Sequence, residues 1–309
     1  MRRALVPLML FAAVLSLMGL SLTACSRGAR ERQPGQAFLD SRIPSGLAPQ
    51  YYPPDGFVWS GYRADGLPEA RYGVASPPVN PHAQVLIIAD AGYPAETWFE
   101  LTRGLLAAGY GVWLLEPPGQ GGAGRYLLQG NVIHSPDYRD ADRAAAGLIR
   151  DLIHPTPQRP LYVVGSGYGA ITVLSLAAEL KGPAYAGFTA YDPYLGGAIA
   201  PGGLWRHEDV APGYWGAIAQ AWQMQNPDLR LRMKSESWRK QAMKAFSVVA
   251  GPHPTLRSGA PVTLFEPDTA DAAQMKAARA LCAHTPDCRL RGSKGQQAFG
   301  GELLDALRS

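Results

Sequence analysis

From residue 51 onward, the chain alternates short apolar runs of strand length with longer stretches in which apolar residues recur at helical spacing. Gln84–Ala89 and Gly111–Leu115 are almost wholly apolar, which is typical of strands buried on both faces. The stretch Ala95–Ala108 between them has helical spacing and stops at Gly109. This alternation predicts an α/β fold with a mostly parallel central sheet and helices on both faces.

The rest of the chain continues this pattern, with one interruption. The other predicted elements are the strands Phe57–Tyr62, Arg71–Ala75, Leu161–Val164, Tyr185–Tyr191, Val262–Phe265 and Cys288–Arg291, and the helices Asp137–Leu152, Gly169–Leu180, Asp271–Ala283 and one beginning at Gly300. Residues 195–258 break the alternation with aromatic-rich helical stretches near Tyr214–Gln223 and Glu236–Val249. We therefore expect one domain, residues 51–309, with an inserted helical cap at about 195–258.

The first residues have the pattern of a targeting signal. Arg2 and Arg3 precede the apolar run Ala4–Leu22, and the residues Leu22-Thr23-Ala24-Cys25 resemble a bacterial lipobox. Cleavage there leaves Cys25 as a lipidated amino terminus. Two alternatives are a permanent anchor, since about 20 apolar residues span a bilayer, and ordinary secretory cleavage before an incidental cysteine.

The lipobox resemblance implies the location of the protein. We expect a signal peptide at 1–24, attachment to a membrane through a lipid on Cys25, and a polar, aperiodic tether at 25–50. Ser26 rather than an aspartate follows the cysteine, which in the resembled lipoproteins favours the outer membrane. The expected location is therefore the bacterial cell envelope, with the domain facing the periplasm.

Composition and charge limit the classes of partner that we expect the protein to bind. The 309 residues are 47% hydrophobic and 17% charged, as in a folded globular protein. The formal charge of +4 includes the two arginines of the signal segment, so the mature protein is close to neutral. With no basic run in the sequence, we expect no nucleic-acid partner.

Two cysteines remain after the lipidation site. Cys282 and Cys288 have five residues between them, and in an oxidising compartment this spacing predicts a small disulfide loop. A metal site is the weaker alternative, because His284 lies between them but no fourth ligand is evident nearby. We expect neither a metal nor a cofactor.

Several motifs, in order, resemble the α/β-hydrolase fold and, within it, the lysophospholipase and monoacylglycerol-lipase branch. The resemblance extends from about Tyr52 to Leu307 and is carried by Tyr52–Phe57, Trp98–Val112, Pro118–Arg125 and Asn226–Leu231. The Pro-Gly-Gln-Gly-Gly-Ala-Gly-Arg stretch is similar to the Arg-Gly-Gln-Gly-Leu-Ser-Gly-Arg loop of those enzymes. The resemblance implies a serine hydrolase, whose function has to be argued from its site.

The family carries its nucleophile on a Gly-x-Ser-x-Gly turn between a strand and a helix. Side chains two residues before and after the nucleophile would collide with the packed strand and helix, so those positions are glycines. Here only Gly165 and Gly169 have this separation after the strand, and the residue midway is Gly167. Ser166 therefore occupies the neighbouring position, and the predicted apex has no hydroxyl.

The other family positions are also altered. Asp268 matches the position of the triad acid, with Asp271 a second candidate, but the position of the histidine base corresponds to Gly295. No histidine follows His284, and a serine without a positioned base is a poor nucleophile. Asp90 and Ala91 occupy the oxyanion-loop position, where an inward-pointing carboxylate would repel a developing oxyanion.

A rearranged site is the alternative. Ser166 could serve as the nucleophile with His207 or His253 from the cap, and Asp192 ends a strand near the same edge. Such a site requires hydrogen-bond reach among all partners. The alternative function is thus an active carboxylesterase or lysophospholipase.

Aromatic residues after the sixth predicted strand and through the cap suggest a ligand pocket. We expect Tyr93, Tyr168, Tyr194 and Trp215 to line it, although buried aromatics more commonly only pack. The preferred interpretation is a catalytically inactive hydrolase fold that binds a hydrophobic small molecule or an envelope protein. A purely structural lipoprotein is a further alternative.

Overall fold

The computed structural model of the chain describes residues 35–127, 131–195, 199–209, 213–251 and 259–308. The signal segment, Cys25 and His253 lie outside the described residues, so the predictions about them remain predictions. Among the residues that are described, no helix combines the length and apolar character needed to cross a membrane.

Strands in the described part of the chain form one large and one small sheet. They are β1 (Val58–Tyr62), β2 (Ala70–Ala75), β3 (Ala83–Ile88), β4 (Tyr110–Glu116), β5 (Val132–Ile133), β6 (Leu161–Ser166), β7 (Tyr185–Tyr191), β8 (Met233–Lys234), β9 (Val262–Pro267) and β10 (Cys288–Ser293). The large sheet has the order β1-β2-β4-β3-β6-β7-β9-β10, and β5 pairs with β8. In the large sheet, β2 runs antiparallel to both of its neighbours, β1 and β4, and the other neighbouring strands are parallel.

The helices cover both faces of this sheet. They are α1 (Phe99–Ala107), α2 (Asp140–Leu148), α3 (Tyr168–Glu179), α4 (Gly213–Gln225), α5 (Glu236–Val249), α6 (Ala272–Ala283) and α7 (Phe299–Arg308). One hydrophobic core joins α2, α3, α5 and α6 to the sheet, and a second joins α1, α4 and α7 to its other face. The predicted fold class is therefore confirmed.

Two predicted helices are shorter than expected because their ends change geometry. The first opens with a tighter 3₁₀ turn, Ala95–Trp98, before α1 begins. The second becomes a wider π-helical turn, Ile149–Ile153, after α2 ends. In the 195–258 insertion, α4 and α5 fall in different cores: α4 packs with α1, and α5 packs with α3.

The expected tether does not extend to residue 50. The Phe38 N–H donates to the Gly122 carbonyl at 2.7 Å. The side chain of Asn226 both accepts from the Arg42 N–H, at 2.7 Å, and donates to the Arg42 carbonyl, at 2.9 Å. Residues 35–50 therefore pack on the domain, because their backbone groups find partners there despite an aperiodic sequence.

Near the carboxyl terminus, Cys282 and Cys288 are joined by a disulfide. It links the end of α6 to the first residue of β10, the edge strand of the large sheet. The disulfide therefore closes the connection that leads into the last strand.

Candidate functional site

The connection between β6 and α3 has the backbone of a nucleophile elbow. Gly167 stands between them with φ 54° and ψ −119°, a conformation that side-chain-bearing residues rarely adopt. A Cβ on Gly165 would lie 2.5 Å from the carbonyl oxygen of Gly169, and one on Gly169 would lie 2.4 Å from that of Ile88. Neither flanking glycine can carry a side chain, so Gly167 is at the apex of the turn.

The space beside this apex is filled by another residue. A Cβ built on Gly167 would lie 2.3 Å from the carboxyl carbon of Asp90, which follows β3. The Asp90 carboxylate thus occupies the region into which a side chain at the apex would project. A side chain at the apex and the Asp90 carboxylate in this position would therefore exclude each other.

The hydrogen bonds of the Asp90 carboxylate show which part of the site it occupies. Its Oδ1 accepts from the N–H of Tyr168 at 2.8 Å and from the N–H of Ala91 at 2.7 Å. In this type of turn, the N–H after the nucleophile and an N–H from the loop following the strand form the oxyanion hole. Oδ1 of Asp90 therefore lies where the oxyanion of a tetrahedral intermediate would bind. Oδ2 accepts from the Tyr194 hydroxyl at 2.9 Å.

This carboxylate is buried and still largely ionised at neutral pH. Burial raises the pKa of Asp90 to about 6, while the Tyr168 N–H, the charge of Lys234, the Tyr194 hydroxyl and the Ala91 N–H act to lower it. Burial, followed by the nearby Asp90 charge, raises the pKa of Tyr194 well above its usual value. The hole thus holds a negative charge supplied by the chain itself.

The loop at the histidine position has no side chain at Gly295. That residue has φ 108°, so a histidine there would be strained although no neighbouring atom obstructs it. Glu302 of α7 fixes the loop: its carboxylate accepts from the Ser293 hydroxyl at 2.5 Å and from the Lys294 N–H at 3.0 Å. The loop is therefore ordered without a general base at this position.

The carboxyl groups considered for the triad acid lie in different surroundings. Asp268 is exposed after β9, where its N–H donates to the Ser293 carbonyl at 2.9 Å. Asp271 caps α6 in a capping box with Gln274. Glu266, which sequence reasoning missed, is a buried carboxyl on β9 with no hydrogen-bond partner in the described structure. Burial, then the charge of Asp192, raises its pKa to about 7.

Among the described residues, Ser166 has none of the hydrogen-bond partners that a nucleophile needs. Only 2% of the residue is exposed, and its hydroxyl has no hydrogen-bond partner within the described ranges. The Nδ1 of His134 instead lies 3.0 Å from the Ser235 hydroxyl, and His207 lies beside the Trp205 ring. No described histidine therefore activates Ser166.

A cavity of about 370 Å³ lies between the loop after β3 and the insertion. Of the four residues expected to line a ligand pocket, Tyr93 and Tyr194 border this cavity, together with Asp90 and Ala91. Trp205, one of the aromatic residues of the insertion, also borders it, and the residues that sequence reasoning missed are Gly92, Ala200, Ala219, Gln220, Gln223, Leu231, Arg232 and Lys234. The apolar and aromatic pattern of the insertion was the available signal, but it did not single out the polar side chains.

Two predicted pocket residues lie elsewhere. Tyr168 is buried against Trp238, with ring centroids 4.8 Å apart. Trp215 packs on Trp98 at 4.6 Å and borders a separate groove of about 260 Å³ between α1 and α7. Both are corrections to the predicted pocket: these aromatic rings join the insertion to the helices below it.

The described part of the site was also considered as a metal centre. Within the described ranges, no group of three or more His, Cys, Asp or Glu side chains is arranged to hold a metal ion. The polar chemistry of the cavity comes instead from Asp90, the tyrosines and the amide and cationic groups of the insertion.

Comparison with solved structures gives the same fold. A probable hydrolytic enzyme from Pseudomonas aeruginosa is 16% identical, with a TM-score of 0.57 over 84% of this chain and 96% of that one. A monoglyceride lipase variant from Saccharomyces cerevisiae is 15% identical, with a TM-score of 0.58 over 91% and 97%. A monoacylglycerol lipase from Paleococcus ferrophilus is 18% identical, with a TM-score of 0.56 over 76% and 97%. At these identities the likeness establishes the fold alone.

Comparison at the sequence level identifies the family. No curated protein sequence matches the chain. The model of the alpha/beta hydrolase family, in contrast, matches residues 85–302, which include the elbow, the loop after β3 and the insertion. The chain therefore belongs to the alpha/beta hydrolase family.

Proposed function

We propose that this protein is a lipid-anchored envelope protein whose α/β-hydrolase domain does not hydrolyse esters and instead binds a ligand or a protein partner. The observation that carries the proposal is the position of Asp90, whose Oδ1 accepts both N–H groups of the oxyanion hole. Gly167 at the apex and Gly295 at the base position support the same conclusion.

The energetic argument concerns the transition state of acyl transfer. Loss of a single oxyanion-hole donor typically lowers kcat by about 10²–10³. Here both donors are engaged by a carboxylate, and a second negative charge on a substrate oxygen would be repelled in a site of low dielectric. Since the apex also has no hydroxyl, nucleophile and oxyanion stabilisation are both missing from their family positions.

The cavity supports a binding role. Its volume of about 370 Å³ falls in the range of small-molecule sites, and it is bordered by both apolar and polar side chains. This favours binding over the purely structural interpretation, which expects the space under the insertion to be filled by the protein's own side chains.

Active-site labelling tests the absence of hydrolysis. We expect no reaction with a serine-directed fluorophosphonate and no turnover of p-nitrophenyl esters above the level of the Ser166→Ala variant. An active esterase treated in parallel verifies the reagents. Labelling or turnover that Ser166→Ala abolishes would contradict the proposal and support the rearranged serine site.

The lipid anchor is tested independently. We expect the protein to fractionate with membranes and its Cys25→Ser variant to lose the acyl chains, detected by mass spectrometry of the amino-terminal peptide. Ser26→Asp serves as the matched variant, since it retains the cysteine and should remain lipidated. An unmodified Cys25 in the membrane fraction would refute the anchor.

A further inference from the structure

Three side chains that border the cavity, Gln220, Arg232 and Lys234, have hydrogen-bond donors that the described residues leave wholly or partly unused. The Nε2 of Gln220 is buried and has no hydrogen-bond partner among the described residues. Lys234 borders the cavity and forms no ion pair within the described ranges. Arg232 pairs with Asp209 through one nitrogen, which leaves further N–H groups on its guanidinium. A buried donor without an acceptor is costly, so this side of the cavity is suited to an acceptor-rich group.

The acceptors at the floor of the cavity are already in use. Both oxygens of Asp90 are engaged, by the N–H groups of Ala91 and Tyr168 and by the Tyr194 hydroxyl. Of the described residues that border the cavity, Asp90 alone is acidic, and Arg232 and Lys234 are cationic. A ligand cation would therefore find the oxygens of Asp90 occupied and would be repelled by Lys234, whereas an anion would meet that cation.

Trp205, an aromatic residue that also borders the cavity, is held in place by its neighbours. Trp205 donates its Nε1–H to Gln223 at 3.0 Å, and the Arg230 guanidinium lies 4.4 Å from the centre of the Trp205 ring. Gln223 in turn donates to the carbonyls of Gly92 and Leu229 at 3.1 Å, which ties this wall to the loop after β3. A preformed apolar surface lowers the entropy cost of binding.

We infer that the cavity binds a small amphipathic organic anion, with its anionic oxygens at Lys234, Arg232 and Gln220 and its apolar part against Trp205 and Leu231. The inference rests on the proposed binding function, and it adds the chemical class of the ligand. An anion of this kind supplies the acceptors that Gln220 and Lys234 lack, while the filled oxyanion hole leaves it chemically unchanged.

Calorimetric titration of the full-length protein in detergent tests the ligand class. The probes are hexanoate, methyl hexanoate, 1-hexanol and hexylamine, which share one chain and differ in the head group, each corrected by titration into detergent alone. We expect hexanoate to bind at least about tenfold more tightly than the neutral probes and hexylamine to show no binding.

Variants assign the binding to this cavity. Lys234→Met should weaken hexanoate binding about tenfold or more, because the long apolar stem remains while the charge is lost. Lys240→Met is the matched control, since Lys240 is a largely exposed lysine of α5, and it should leave the affinity unchanged. Gln220→Leu provides a second variant, with an expected smaller loss, and thermal melting verifies that each variant is folded.

The outcomes separate this inference from the proposed function. Equal binding of hexanoate and methyl hexanoate, no binding of hexanoate, or unchanged affinity in folded Lys234→Met and Gln220→Leu variants would overturn the anion site. None of these results would affect the expectation that esters are not hydrolysed. Conversely, serine-dependent ester turnover would overturn the proposed function whether or not hexanoate binds.

Discussion

Two neighbouring strands of the sheet end in buried carboxylates that serve different purposes. Glu116 ends β4, and its carboxylate accepts from the N–H groups of Ala95 at 2.6 Å and Gly122 at 2.8 Å. Asp90 follows β3 and likewise accepts two backbone N–H groups. Glu116, however, also contacts the Arg71 guanidinium at 3.1 Å, whereas Asp90 borders the cavity.

The difference lies in how each charge is compensated. Arg71 is wholly buried, pairs with both Glu116 and Glu96, and lies 3.5 Å from the centre of the Trp59 ring. That cluster joins β2, the 3₁₀ turn Ala95–Trp98 and the end of β4. Burial raises the pKa of both carboxyls, but among the described residues Asp90 is held by N–H and hydroxyl groups and not by a contacting cation. A buried charge without a contacting cation opposes folding, so we interpret its retention as a feature of the site.

The largest loss of stability is expected from removing the buried Arg71 cation. Arg71→Met leaves Glu96 and Glu116 buried without their cation and should lower the free energy of unfolding by about 3–5 kcal/mol. Urea denaturation measures the change. Arg150→Met, which removes an exposed pair with Asp151, is the control and should leave the midpoint almost unchanged. Equal midpoints for both variants would contradict the structural role of the Arg71 cluster.

The next largest effect is a change of stability with pH, which we expect from the ionisation of Asp90. Because the folded state raises the pKa of Asp90 to about 6, it holds this proton more tightly than the unfolded chain does. Ionisation of Asp90 should therefore lower the free energy of unfolding by about 3 kcal/mol as pH rises from about 4 to above 6. Asp90→Asn should remove this loss.

Denaturation at several pH values compares the two proteins. The Asp90→Asn variant should be more stable than the wild type at pH 7, and the difference should shrink toward zero near pH 4. A variant that is less stable than the wild type at pH 7 would show that the charged form is needed for folding. Asp90 would then stabilise the fold as Glu116 does, and the two carboxylates would not differ in this respect.

A smaller effect concerns the steric link between the elbow and Asp90. Gly167→Ala places a methyl group against the Asp90 carboxyl and also strains a positive φ, whereas Gly66→Ala strains a positive φ in open space. A double-mutant cycle with Asp90→Gly should give a coupling energy of about 1–2 kcal/mol, since removal of Asp90 leaves only the backbone strain. Strict additivity would mean that the two residues do not share this space.

The fold was predictable because its signals are local. Continuous apolar runs at Gln84–Ala89 and Gly111–Leu115 and the spacing of Gly165 and Gly169 depend on strand burial and backbone clearance, both of which are visible in the sequence. Residues 35–50 carry no such periodicity, so their packing on the domain was not predictable.

The site was only partly predictable, because its contents depend on side-chain directions. The sequence placed Asp90 at the oxyanion loop, but its inward orientation depends on the space left by Gly167 and on the Tyr194 hydroxyl. The aromatic pattern could not distinguish Tyr93 and Tyr194, which border the cavity, from Tyr168 and Trp215, which pack elsewhere. Lys234 reaches the cavity through tertiary structure alone.

Amide NMR titration tests the central claim most directly. If Asp90 occupies the oxyanion hole, the N–H resonances of Ala91 and Tyr168 should shift together with one midpoint near pH 6, because both donate to its Oδ1. Neither resonance should titrate in Asp90→Asn. Amide shifts in the wild type that stay constant between about pH 4 and 8 would contradict the account, since the hole would then contain no ionising carboxylate.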